Sequence, residues 1–299
     1  MPNPSRLERL RQVLRRLRRL AVGRLPDEYL LALRVYADLA AQHAIVGLLR
    51  QIDLLKSKIE IPAADWQELQ EIRRSTITSE RPLVSVCVAT HNRARLLTER
   101  CLPSILKQTY HNLEIIVVGE DCSDDTATAV ANLRDERIRL HFIERQPPHL
   151  DEPERRWMVA GSRPNNVAQA LAIGDYITFL DDDDEHLPER IEQLVGFAVK
   201  ENADFVYHPF WAESPTGEWD LIPANMLKLG QVTTSSIFYR RWLKHLQWDV
   251  DSHLLGEPND WNYIRRVIYL GAKCVRYPEP LLRHYRERNQ SYTRSADLT

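Results

Sequence analysis

Four aspartates and a glutamate stand in a row at Asp181-Asp182-Asp183-Asp184-Glu185, directly after the apolar run Tyr176-Ile177-Thr178-Phe179-Leu180. The run has the length and β-favouring character of a buried strand, with Gly174 before it and Leu187-Pro188 after it. The acids then fall at the strand's carboxyl end, where open α/β sheets place their ligands. Carboxylates crowded together repel one another unless a cation offsets them. Mg²⁺ or Mn²⁺ suits such an all-oxygen site and leaves positions open for phosphate oxygens. The competing reading is a solvated acidic turn that opens the next helix. A second acidic segment, Glu120-Asp121-Cys122-Ser123-Asp124-Asp125-Thr126, also follows an apolar run, so both can face one crevice.

The elements that must position these turns alternate along the chain. Residues 83–89 read as a β-rich run, Thr90-His91-Asn92-Arg93 as a polar turn, and Leu96 to Leu106 as a helix. A strand over 113–118, a helix opened by the second acidic turn and a strand over 138–143 come next. Residues 145–162, with Pro147, Pro148 and Pro153, read as a long loop, and 166–173 as a helix leading into the acidic strand. Later, 203–208 and 233–238 read as strands, 209–219 as a hairpin-like turn, 257–271 as a helix, and 273–277 and 281–282 as late strands. This alternation predicts a mostly parallel α/β sheet with helical crossovers.

The chain has 299 residues, with 40 basic against 42 acidic, so overall charge gives no case for a nucleic-acid partner. Four scattered cysteines show no C-x-x-C spacing, which argues against a disulfide or zinc framework. No apolar run reaches membrane-spanning length and no secretory signal is visible, so a cytoplasmic protein is expected. The start of the chain stands apart. Ser5-Arg6-Leu7-Glu8 forms a capping box, and Leu7, Leu10, Leu14 and Leu17 share one helix face amid seven arginines from Arg9 to Arg24. Such a helix docks on the protein or a second subunit, or lies peripherally on an anionic membrane. Residues 1–75 are therefore predicted to be a helical extension, 74–81 a linker and 82–299 the main domain.

Val84-Ser85-Val86-Cys87-Val88-Ala89-Thr90-His91-Asn92-Arg93, Gln108-Thr109-Tyr110, Glu114-Ile115-Ile116-Val117-Val118 and Asp124-Asp125-Thr126 resemble the start of family 2 glycosyltransferases of the GT-A fold. Gly174 to Asp184 looks like the same family's DxD segment, and the order and spacing of the pieces make the resemblance specific. It covers about residues 82 to 290 and implies a Rossmann-like, mostly parallel mixed sheet flanked by helices. Residues 82–185 would form the nucleotide-binding half and 186–299 the acceptor half. The implied activity is inverting, metal-dependent transfer from a nucleotide-sugar donor, UDP-linked by expectation, to a glycan, lipid-linked or small-molecule acceptor.

By the same resemblance, Thr90, Asn92 and Arg93 line the nucleotide, and Glu120, with Asp121 beside it, reads the base where relatives carry aspartate. Asp183 is the main ligand of Mn²⁺ or Mg²⁺, and Asp181 and Asp182 touch ribose or metal-bound water. Arg163 replaces a family arginine on the diphosphate. Asp260, in a segment like the family's ED-W, is the catalytic base and Glu257 the reserve, although Asp260 would also serve as a helix cap. In the tail, Arg288 stands where many relatives have histidine. His284 is then the substitute ligand, and Arg286 and Arg288 would neutralise the diphosphate. Phe210, Trp211 and Trp219 either stack on an acceptor sugar or pack the hairpin, with packing preferred. Small hydroxyls at 233–236 contact the donor sugar or are ordinary strand residues. The rival readings are a sugar nucleotidyltransferase, which would carry a glycine-rich phosphate loop where this chain has Thr90 to Arg93, and a catalytically inactive GT-A-fold binding or scaffold protein.

Overall fold

The structure, a computed structural model, describes residues 79–286 apart from 147–149 and 151, together with 63–74, 77 and seven positions between 39 and 47. It divides into two compact units, residues 1–52 and 53–299. In the first, the described positions between 39 and 47 are helical. The basic amphipathic segment from Ser5 to Arg24 lies outside the described residues, as does Arg288.

The second unit begins with α1 (Ala63–Arg74), whose Leu69 is buried among aromatic and aliphatic core residues. Arg73 donates twice to Asp204, at 3.1 and 2.8 Å, and Arg240 donates to the Arg73 carbonyl at 2.8 Å. This helix, expected within the N-terminal extension, therefore packs on the sheet domain.

Four parallel strands form one half of a seven-stranded sheet: β1 (Val84–Thr90), β2 (Leu113–Glu120), β3 (Ile138–Ile143) and β4 (Tyr176–Phe179). With β6 (Phe205–Tyr207), β9 (Ile237–Arg240) and β10 (Cys274–Arg276), the order is β10-β6-β9-β4-β1-β2-β3. Only β9 runs antiparallel to its neighbours. Alternate side chains serve opposite faces. Val84, Val86, Val88, Ile115 and Val117 enter one core, while Cys87, Ile116, Val118, Ile177 and Phe179 enter the other. Both faces are covered, which is why the strands read as nearly unbroken apolar runs.

Helices connect the strands. The first is α2, built from Ala94–Leu96, a wider π turn at Leu97–Cys101, and Leu102–Leu106. Then come α3 (Thr126–Ala131), α4 (Pro153–Met158), α5 (Ser162–Leu171), α6 (Arg190–Glu201) and α7 (Asn259–Tyr269). A second sheet, in the order β5-β11-β7-β8, joins β5 (Glu185–His186), β7 (Phe210–Glu213), β8 (Trp219–Ile222) and β11 (Leu282–His284).

Three local expectations need correction. The loop at 145–162 contains α4, which Pro153 starts at its first turn. The helix expected from Asn166 begins at Ser162, after Gly161 in the left-handed region at φ 77°. Residues 234–236 are a 3₁₀ turn, not strand: Thr233 and Ser236 cap each other reciprocally, an arrangement that hydroxyl side chains favour over a ladder. Phe210 is buried in the core, whereas Trp219 is 37% exposed and meets Tyr285 edge-on at 5.0 Å.

One buried carboxylate sets the entry to β4. Glu114 on β2 accepts from Ile173 N at 2.7 Å and Gly174 N at 3.2 Å, takes a hydrogen bond from Ser85 Oγ and pairs with Arg139. Gly174 is pressed so closely here that a Cβ would lie 2.6 Å from Ser85 Oγ and 2.8 Å from the Leu83 carbonyl. Gly174→Ala is therefore expected to lower the unfolding free energy by about 1–3 kcal/mol in urea titrations. Gly196→Ala, within α6 and with nothing within 4 Å of its would-be Cβ, should raise stability by roughly 0.5–1 kcal/mol. Equal effects of the two changes would refute the close-packing argument.

Candidate active site

Asp181 to Asp184 form the joint at which the chain leaves β4 of the large sheet and enters β5 of the small one. Asp184 is fully buried, and Asp182 and Asp183 nearly so. Each is held by groups from distant parts of the chain. Thr90 Oγ1 donates to Asp182 Oδ2 at 2.7 Å. Arg93 Nη1 donates to Asp182 Oδ1 at 3.1 Å and to Asp183 Oδ2 at 2.6 Å. Arg100, on α2, donates to the Asp183 carbonyl at 2.7 Å while its guanidinium lies 3.7 Å above the Tyr285 ring centre. Ser235 Oγ accepts from Asp181 N at 3.0 Å and donates to Asp184 Oδ2 at 3.1 Å. Asp184 also meets His284 Nδ1 at 2.9 Å and accepts from Tyr285 N at 3.0 Å.

The electrostatics follow from burial and crowding. Burial and the other carboxylates push Asp181 well above the ordinary aspartate range and Asp183 up to about 7, with Arg93 opposing the shift at Asp183. Burial likewise raises Asp182, against Arg93 and Thr90. Burial works against a charged His284, but Asp184, Asp181 and Asp183 overcome it and lift the imidazole to about 9.

One oxygen from Asp181, one from Asp184 and a ring nitrogen of His284 lie within 4.8 Å of one another. The two carboxylates fit Mn²⁺ or Mg²⁺ by donor chemistry, and the imidazole, when neutral, is the nitrogen donor that Mn²⁺ accepts more readily than Mg²⁺. Of the residues assigned to a cation from the sequence, Asp181 and His284 are thus together, and Asp184 completes the group. Asp183, expected as the main ligand, pairs with Arg93.

The other expected nucleotide residues surround the same end of the sheet. Asn92, at φ 51°, accepts from Ser123 N at 2.7 Å and Asp124 N at 3.2 Å, so its side chain joins the polar turn to the second acidic turn. Asp124 closes the link by accepting from Ala94 N at 3.0 Å. Asp121 is exposed, with φ 54°. Glu120 Oε1 is buried and, among the described residues, has no hydrogen-bond partner, while its Oε2 lies 4.0 Å from Arg145 Nε. Arg163 is half-buried in the first turn of α5.

The two candidate bases differ sharply. Asp260 sits half-buried in the first turn of α7, and its Oδ1 accepts from Trp261 N at 2.6 Å. Glu257 is buried, and its Oε2 accepts from Arg265 Nη2 at 2.9 Å and Nε at 3.2 Å. Glu257, read as the reserve base, is engaged by the Arg265 guanidinium.

Arg100 and Tyr285 were not found from the sequence, and Ser235 is expected there as a donor-sugar contact or a strand residue, not as a partner of the acids. The contacts of Arg100, Ser235 and Tyr285 with the acids span 83, 51 and 101 residues, and no local pattern encodes such pairings.

The family model for glycosyl transferase family 2 matches residues 85–242. Over 163 residues the chain is 30% identical to "UDP-Glc:alpha-D-GlcNAc-diphosphoundecaprenol beta-1,3-glucosyltransferase WfgD" of Escherichia coli, covering 54% of this chain and 56% of that protein. Over 114 residues it is 37% identical to "GalNAc(5)-diNAcBac-PP-undecaprenol beta-1,3-glucosyltransferase" of Campylobacter jejuni, covering 38% of this chain and 34% of the relative. The matches thus span about half or less of these relatives' lengths. Among solved structures, S. aureus TarS 1-349 in complex with UDP superposes with a TM-score of 0.53 at 18% identity, covering 69% of this chain and 61% of that one. The mannosyltransferase PcManGT from Pyrobaculum calidifontis, in complex with GDP-Man and Mn²⁺, gives 0.52 at 16% identity, covering 82% and 69%. These two likenesses agree on a GT-A type of fold.

The raised acids and the raised histidine have one consequence for stability. Asp183 holds its proton to about 7 in the fold against 3.8 when free, and His284 to about 9 against 6.5. In each case the folded chain binds more protons than the unfolded chain, so both contributions fall as pH rises through these windows. The metal-free protein should melt at a lower temperature near about pH 9 than near about pH 6, and added Mn²⁺ should narrow the gap. A melting temperature that rises over this interval in differential scanning fluorimetry would refute the charge assignment.

Proposed function

The chain belongs to glycosyl transferase family 2, and from that premise we propose that it transfers a sugar from a nucleoside-diphosphate donor to a hydroxyl of a lipid-linked acceptor. The observation that carries this reading is the convergence of Thr90, Arg93, Asp181 to Asp184 and His284 at the carboxyl ends of β1 and β4, where a donor diphosphate would lie. UDP is favoured as the nucleotide, because the orphaned Glu120 Oε1 suits the imide N–H of uracil. UDP-glucose and a diphospho-lipid acceptor are the first pair to test, by analogy with the E. coli and C. jejuni relatives' names.

In this reading Asp181, Asp184 and His284 hold Mn²⁺ or Mg²⁺, with Asp183 available to join them. A bound divalent cation supplies positive charge to the leaving diphosphate. Thr90 and Asn92 shape the nucleotide's seat, with Asp121 at its rim, and Arg163 faces the diphosphate. Asp260 accepts the proton of the acceptor hydroxyl as it attacks the anomeric carbon from the side opposite the nucleotide, which inverts that centre. A lipid-linked acceptor requires access to a membrane surface. Among the described residues no helix is long and apolar enough to cross a membrane. Peripheral contact through the basic N-terminal segment is the arrangement we favour over its use in oligomerisation.

The test is to incubate the protein with Mn²⁺, a panel of UDP- and GDP-sugars and a synthetic N-acetylglucosaminyl-diphospho-lipid. Product mass and anomeric configuration are then read by mass spectrometry and NMR. One sugar added with inversion, and an Asp260→Asn variant reduced about 10²–10⁴-fold in kcat with the donor KM little changed, is the expected result. Nucleotide binding with no transfer and no release of nucleoside diphosphate to any acceptor would identify a binding protein instead.

A further inference from the structure

Arg93 joins its carboxylates under unequal constraint. Its side chain is 31% exposed, whereas those of Asp182 and Asp183 are 9% and 11% exposed. The guanidinium therefore reaches the acids from the solvent side of the crevice. Its neighbours are tied to the second acidic turn: the Asn92 side-chain oxygen accepts from Ser123 N and Asp124 N, and the backbone N of Ala94 donates to Asp124. The long side chain is thus the movable part, hung from a rigid turn. Arg93 Nη1 stands 2.6 Å from Asp183 Oδ2. A divalent cation bound to that oxygen at about 2.0–2.6 Å would bring two positive charges into contact, so guanidinium and metal cannot both use it.

We propose that Arg93 is an exchangeable cation: it occupies Asp182 and Asp183 when no metal is bound, and is displaced on to the donor diphosphate when metal and nucleotide arrive. The charge balance favours the exchange. Arg93 and His284 pair with three carboxylates, and Asp181 adds a fourth close to His284. A divalent cation replaces the charge that Arg93 supplied, and the incoming diphosphate offers the freed guanidinium an anionic partner of matching fork geometry. Arg93 is here a positioning residue for the donor and a competitor of the metal, so its removal should have effects of opposite sign on the two ligands. The diphosphate half of the exchange rests on the donor reading proposed above; the metal half does not.

The experiment titrates full-length wild type, Arg93→Met and Arg93→Lys with Mn²⁺ alone, following free Mn²⁺ by electron paramagnetic resonance. UDP is then titrated calorimetrically at saturating Mn²⁺. Arg93→Met should bind Mn²⁺ alone about five- to tenfold more tightly than wild type, and UDP at saturating Mn²⁺ about tenfold or more weakly. Arg93→Lys, which keeps the charge but not the fork, should fall between them on both axes and shows that the site is folded. Mn²⁺ affinity unchanged or weakened in Arg93→Met overturns the exchange. Tightened Mn²⁺ with unaltered UDP affinity also overturns it, since the guanidinium would then not pass to the diphosphate. If wild type binds no nucleoside diphosphate, the donor reading fails, and tighter Mn²⁺ binding by Arg93→Met still supports displacement at the metal site.

Discussion

Four consecutive carboxylates at the mouth of a buried strand repel one another and lose most of their hydration, and much of the surrounding structure offsets that penalty. The offset is distributed. Thr90 and Arg93 come from the end of β1, Arg100 from α2, Ser235 from the turn before β9, and His284 with Tyr285 from β11. None of these contacts is strong enough alone to hold the acids in place. Together they fix three of the four carboxylates and one backbone carbonyl. The site therefore forms only when both sheets and the first crossover helix have formed, and it cannot be assembled from a local segment.

Behind the acids lies a second polar layer with a different logic. Arg190 is fully buried in the first turn of α6, and its Nη2 donates to the carbonyls of Ser235 and Ile237, each at 3.1 Å, while Nε donates to His208 Nε2 at 3.0 Å. Burial lowers its pKa to about 9, and burial followed by the nearby Arg190 charge holds His208 well below its ordinary range. Among the described residues, no carboxylate is hydrogen-bonded to this guanidinium. Its role is geometric: two donors from one planar group clamp the backbone on either side of Ser236. That clamp aims the Ser235 hydroxyl, which serves Asp181 N and Asp184 together. A buried charge is a costly anchor, and its presence here marks the position of one hydroxyl as worth that cost.

The parts of this arrangement that follow from local chemistry were readable in the sequence. Val84 to Ala89, Leu113 to Val118 and Tyr176 to Phe179 announce buried strands because both faces of the sheet are covered and, Glu114 apart, the residues are mostly apolar or small. The acidic turns could be placed at carboxyl ends for the same reason. What was not readable depends on partners remote in sequence. Nothing around Glu114 says that it will accept the amide of Gly174, and nothing around Arg100 marks it out from Arg95 on the same helix. Glu257 is a reserve candidate base through the likeness of its segment to ED-W, and the approach of Arg265, almost two turns into α7, was not legible there. The 233–236 segment misled in the opposite direction: Thr and Ser fit a strand, but their hydroxyls closed a capping box first.

The acidic run also occupies a position in the topology that a generic ligand turn would not. It is the crossing between two sheets, and each sheet supplies part of its support. The large sheet contributes Thr90 and, through the turn leading into β9, Ser235; the small sheet contributes His284, whose strand pairs antiparallel with β5 immediately after the acids. Asp184 touches both at once through a single oxygen, Oδ2. Any charge added at this joint changes the attraction between the sheets as well as the chemistry of the crevice. The small sheet carries Trp219 on the β7-β8 hairpin, at its edge. Electrostatic state at the joint and the set of that hairpin are therefore linked through β11. A group that neutralises Asp181 and Asp184 acts on both through the same few ångströms.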